Sequence, residues 1–181
     1  MVAEVDHPAA NYAVIRFTDH RGHERLIDFL EKICGVDTAD LQRTALRVSA
    51  LDPELRRQGL QFRVIHPVVC MESRLSNTVE YEKYQGEHGL LQARMSVRCA
   101  RGFLLDLLSA GHIDAVRKLN ERVFRFAKGQ VARAAFARFQ LDAFTAIVVD
   151  DRLPAQFRTV RYPQMRRYLE RRRARHHDAL P

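Results

Sequence analysis

Tryptophan is missing from this chain, and cysteine occurs only three times in its 181 residues. Ten phenylalanines are left to act as the large core fillers. Cys34, Cys70 and Cys99 stand singly and far apart, none in a CxxC pair. An odd count argues against a disulfide framework. No stretch approaches the roughly 18 uninterrupted apolar residues of a membrane span. The opening MVAEVDHPAANYAVIRF has no basic run followed by an apolar one, so no secretory signal is expected. The expected setting is therefore a reducing, bacterial-type cytoplasm with no membrane partner. The phosphate-cradling GxxxxGK[ST], the dinucleotide GxGxxG and the nucleophile elbow GxSxG do not occur. His20 and His23 lie close together, as do His176 and His177, but no further ligand follows at a zinc spacing.

What is present is an ordinary globular balance, 46% hydrophobic and 29% charged, enough to build a core. The net charge of +8 is unevenly placed. Residues 1–115 carry 14 Lys and Arg against 16 Asp and Glu, residues 116–154 carry 8 against 4, and residues 155–181 carry 8 against 2. A polyanion would meet the back of the chain first.

Residues 1–10 read as a loose lead-in, with Pro8 barring an early helix. NYAVIRFTD alternates in β-branched and aromatic residues, HRGH turns the chain at Gly22, and ERLIDFLEKI completes a hairpin pattern. A short helix is expected over DTADLQRTA, capped by Asp37 or Thr38. Two further strands, ALRVSAL and QFRVIHP, flank the polar link DPELRRQG. Pro67 ends the second and suits the first position of a helix, PVVCMESRLSNTVEY. From Glu87 the period becomes helical, with Leu90, Leu91, Val97, Phe103, Leu104, Leu107 and Leu108 as an apolar stripe ending near Gly111. Val116, Leu119, Val123 and Phe126 repeat the pattern on a second helix, and two such helices should pack as an antiparallel pair. FTAIVV fits a strand or a buried helix equally. YPQMRRYLERRRARHH fits a terminal helix or a partly disordered basic tail. The expected fold class is α+β: a small mixed or antiparallel β-sheet at the front, of three to four strands over residues 11–66, packed on a C-terminal helical bundle. Three regions follow: strand-rich 1–66, helical 67–154, and a basic tail 155–181.

Three groups of residues can carry chemistry. Asp28 stands between Leu26 and Leu30 in the strand pattern, where a bare carboxylate is costly unless paired or metal-bound; an exposed edge position is the alternative. His66, at the strand-to-helix junction, and Arg74, on the following helix, suit a nucleotide or phosphate, for which Arg offers a bidentate grip. Equally, His66 can cap local backbone and Arg74 can pair with Glu72 or a neighbour. Arg166, Arg167, Arg171, Arg172 and Arg173 belong to a run of eight arginines between Arg158 and Arg175, offset only by Glu170. With Tyr162 and Tyr168 available for stacking, that run suits nucleic acid, and a solubilising tail is the alternative.

The segments NYAVIRFTD, LIDFLEKICGVDTADL, FRVIHPVVCMESRLSN and EHGLLQARMSVRCARGFLLDLL, covering roughly residues 11–110, resemble a family of bacterial nucleotidyltransferase-like proteins similar to the AbiEii-type toxins of abortive-infection and toxin–antitoxin systems. In that family a Gly-Ser turn and an Asp-x-Asp pair hold nucleotide phosphates and divalent metal. The resemblance makes Asp28 the residual third carboxylate, catalytic and metal-binding, and places Arg74 at the junction between sheet and helices. This chain has no Gly-Ser and no Asp-x-Asp. A single Asp does not bridge two ions about 3.5–4 Å apart. Mg2+ is accordingly expected to bind weakly, with no other cofactor. The resemblance implies a truncated or degenerate nucleotidyltransferase-like protein, inactive alone, in a toxin–antitoxin or phage-defence setting. Either a catalytic front has been lost, or another polypeptide supplies it, or the fold serves binding only. The alternatives are a nucleic-acid-binding module using the basic C-terminal third and an interaction subunit that completes a partner protein's sheet.

Overall fold

The computed structural model describes residues 2–4, 11–30, 33–49, 53–59 and 61–177, of which 2–4, 11–15, 26–30, 55, 62 and 175–177 are described by their backbone only. The first alternating segments pair as expected: β2 (Asn11–Thr18) and β3 (Glu24–Leu30) form an antiparallel hairpin with Arg16 opposite Leu26. Its turn is built by Asp19, whose carboxylate accepts from the N–H groups of Arg21 and His23 and from Arg25 Nε at 2.9 Å. Gly22 supplies the left-handed residue, at φ 79°. The lead-in is not wholly loose, because β1 (Val2–Glu4) pairs antiparallel with β2. After α1 (Thr38–Thr44) come β4 (Leu46–Ser49) and β5 (Gln61–Val64), an antiparallel pair connected through the short α2 (Pro53–Arg57). The strands thus make two separate sheets, one of three strands in the order β1-β2-β3 and one of two, where a single sheet was expected.

The helical part follows without interruption. α3 (Pro67–Glu80) starts with Pro at the position where a missing N–H costs nothing, and His66 is its N-cap. α4 spans Glu87–Ser109, α5 Ile113–Ala127 and α6 Gln130–Phe139. α3 lies along α4 and against α6, and α4 packs on α5 across the Ala110–His112 turn. Every described member of the hydrophobic core falls between Val68 and Leu169. The fold is therefore α+β, with its core in the helical C-terminal part. The buried face of α4 runs through Ala93, Ser96, Val97, Ala100, Leu104 and Leu108. Leu91, expected inside, is 51% exposed.

FTAIVV is neither strand nor long helix: Ala143–Ala146 make one 3-10 turn, and Ile147 and Val148 continue extended and buried. Among the described residues no strand pairs with them. Instead the fully buried Asn120 of α5 accepts from Val148 N–H at 3.1 Å and donates to Val148 O at 2.8 Å, reproducing both hydrogen bonds of a ladder neighbour. Arg101 of α4 adds a donor to Ile147 O.

The segment after residue 154 belongs to this core. Phe157–Arg161 form a π-turn that runs directly into α7 (Tyr162–His177). Pro163 explains the widening, since its ring would collide with the carbonyl of Thr159 in a regular helix and it has no N–H to donate. Phe157, Met165 and Leu169 are buried, and Tyr162 stacks flat on Phe144 with 5.6 Å between ring centroids. Of the two readings open for this segment, a terminal helix or a partly disordered basic tail, it forms the helix, docked on the bundle. Among the described residues no helix is long and apolar enough to cross a membrane.

Candidate nucleic-acid interface

Helical spacing decides what the arginines of α7 can reach. Met165 and Leu169 point into the core, so Gln164, Arg167, Tyr168 and Arg171, at steps of three and four, share a flank beside it. That flank meets the end of α5. Between them lies an open depression of about 350 Å3, lined by Phe124, Lys128, Arg161, Gln164, Met165, Arg167, Tyr168 and Arg171. Four cationic side chains border it and no carboxylate does.

The cations are not equivalent. Arg161 is held in place by Glu121, with both guanidinium–carboxylate contacts at 2.7 Å. This pairing holds the Glu121 carboxyl below its ordinary range and raises the affinity of Arg161 for its proton. Lys128, Arg167 and Arg171 have no carboxylate within ion-pair distance among the described residues. Arg171 Nε reaches only the carbonyl of Arg167, one turn back. Two like charges four residues apart on a helix cost a few tenths of a kcal/mol. Lys128 and Arg161 lie over the Phe124 ring at 5.8 and 5.4 Å from its centroid, a favourable placement for a cation. Tyr168 meets Phe124 edge-on at 5.9 Å.

The remaining arginines of the sequence cluster go elsewhere. Arg166 pairs along the helix with Glu170 at 3.2 Å. Arg172 sits over the Tyr168 ring, 5.6 Å from its centroid, as a spacing of four allows. Arg173 is a fastening, bidentate to Asp142 at 2.9 and 2.6 Å and 3.8 Å above the Phe136 ring centroid. Tyr162 is committed to Phe144, so Tyr168, 38% exposed, is the aromatic left on this surface. Lys128 and Gln164 escaped the sequence reading, and Arg161 entered it only as a member of the arginine run, since only the docking of α7 against α5 brings them together.

The other candidates lie apart from this surface. His66 is buried; its Nδ1 accepts from Val68 N–H at 3.1 Å and its ring meets Phe103 edge-on at 4.9 Å. Burial, and after it the charge of Arg122, lowers its pKa and keeps it a neutral cap. Arg74 is half-buried and donates to Gln92 Oε1 at 3.0 Å, not to Glu72. Glu72 is taken by Arg122 of α5, which binds both its oxygens and also reaches Asp40 of α1 at 2.6 Å. Asp28 stands opposite Val14 in the β2–β3 ladder, and its side chain lies outside the described residues. Among the described residues no group of three His, Cys, Asp or Glu side chains is placed to hold a metal ion.

Comparison with protein-family models, with curated proteins and with solved structures returns no match.

Proposed function

We propose that this protein binds nucleic acid through the face formed by the end of α5 and the flank of α7. Lys128, Arg167 and Arg171 meet backbone phosphates, and Arg161, already neutralised by Glu121, positions the rim. One observation carries this reading: three cations with no carboxylate partner among the described residues border one depression that also holds an accessible aromatic ring. Local stability would favour a glutamate at one of these positions, and a site where the sequence declines that gain is a candidate for function. A nucleotidyltransferase-like origin of residues 11–110 is compatible with this reading, because the basic face lies outside that stretch.

Binding of this kind is mainly electrostatic, and each phosphate neutralised adds about 0.9 to the magnitude of the log–log salt slope on duplex and about 0.7 on a single strand. The double variant Arg167→Ala/Arg171→Ala should bind at least tenfold more weakly at low salt, with the slope reduced by about 1.4–1.8. Both side chains are exposed, so folding should be retained. Fluorescence anisotropy over a salt series measures both quantities. Unchanged affinity and slope in the double variant would rule the face out.

A further inference from the structure

The same depression distinguishes between forms of nucleic acid, and this inference rests on the reading above. We infer that the site takes single-stranded nucleic acid and that Tyr168 is the platform on which one unpaired base stacks.

The ring is held at a fixed angle. It meets Phe124 in a T-shaped contact at 78°, and Phe124 is itself buried with Lys128 and Arg161 over it. Arg172 lies over the Tyr168 ring without lining the depression, whereas Tyr168 lines it and is 38% exposed. A ring oriented in advance stacks a base without paying for its own ordering. The space of about 350 Å3 falls in the range of small-ligand sites and suits one nucleotide, not the edge of a helix. Bases inside a duplex are stacked on each other and cannot enter such a hollow, whereas a single strand can turn one out. Arg167 and Arg171 flank Tyr168 in sequence at −1 and +3, on either side of it along the helix, so phosphates on both sides of a stacked base find a cation. Gln164, also on the rim, offers an amide donor and acceptor to a base edge.

The test uses three probes with the full chain: a fluorescein-labelled single strand of about twelve nucleotides, the duplex of the same sequence, and inorganic polyphosphate, which carries charge but no bases. The intact protein should prefer the single strand to the duplex. Tyr168→Leu should weaken single-strand binding about tenfold, the weight of one stacked base, and change polyphosphate binding less than twofold. Independently of any variant, tyrosine emission can be followed directly, because the chain has five tyrosines and no tryptophan. The single strand should quench part of that emission and polyphosphate should not. Equal loss for both polyanions in Tyr168→Leu, or identical emission with both, would overturn the stacking inference while leaving phosphate binding intact. If the intact protein binds none of the three at low salt, the proposed function itself fails.

Discussion

Arg122 joins three helices of this fold, although nothing near it in sequence marks it out. Its guanidinium satisfies Glu72, which is 7% exposed, and reaches across to Asp40, so one side chain ties α1, α3 and α5 together. Two neighbouring contacts hold the same corner. Cys34 donates to Glu80 Oε2 at 3.1 Å, and burial with that carboxylate pushes its thiol up to about 12. Gly35, at φ 69°, passes so close to α3 that a Cβ there would land on the Ser76 hydroxyl. Removing Arg122 strands a buried carboxylate, whereas removing Asp40 leaves Arg122 its better-buried partner. Arg122→Ala should therefore cost about 2–4 kcal/mol and Asp40→Asn about 1, measured by urea unfolding at neutral pH. Acid should show the same asymmetry. Hydrogen bonding to Arg122, and the charges of Arg122 and Arg43, hold the Asp40 carboxyl below its ordinary value. Its contribution is then present above about pH 4 and lost as pH falls through the lower folded-state value. As pH falls below about 4 the parent protein should lose more stability than Asp40→Asn. Parallel curves for the two would show that Asp40 contributes nothing.

Element by element, the sequence disclosed what local rules control. Pro67 at the head of α3 follows from a residue that fixes its own φ, and the hairpin at Gly22 and the end of α4 before Gly111 follow from residues free to take positive φ; each stands where expected. Faces were less legible. α4 buries Ala93, Ser96 and Ala100, small residues that a hydrophobic stripe undervalues, and Leu91 and Met95 face outward. The 143–149 segment misled for a related reason: its apolar run signals burial correctly, but the hydrogen bonds that settle its conformation come from Asn120, 28 residues earlier. In α7 the arginine cluster was visible and its division of labour was not, because Asp142 and Phe136, which claim Arg173, lie more than 30 residues away. Arg173→Ala should destabilise the protein by about 1–2 kcal/mol in urea unfolding, since it breaks a part-buried bidentate pair and uncovers a ring. Arg166→Ala, whose partner Glu170 is an exposed neighbour on the same helix, should change stability by less than about 0.5 kcal/mol. Equal effects would mean that Arg173 does not fasten the helix.

At the scale of the whole molecule, charge and core are distributed differently. Residues 155–181 hold 8 Lys and Arg against 2 Asp and Glu, yet they also complete the hydrophobic core of a bundle that begins at Val68. Phe157, Met165 and Leu169 are 4%, 1% and 2% exposed. Burying three such side chains contributes roughly 5–9 kcal/mol before entropy is counted. A domain's net stability is only about 5–15 kcal/mol. A chain ending at Pro154 would also lose the Tyr162–Phe144 stack and the Arg161–Glu121 and Arg173–Asp142 pairs, and would expose Phe124 and Phe144 to water. Such a chain should lose its cooperative thermal transition and bind a hydrophobic dye such as ANS at room temperature. Its failure to bind nucleic acid would then say nothing about the basic face, which is why the exposed pair Arg167 and Arg171 is the right place to cut charge. If residues 1–154 instead unfold cooperatively at the midpoint of the full chain, α7 contributes no packing energy. It would then be the detachable basic tail that its composition suggests.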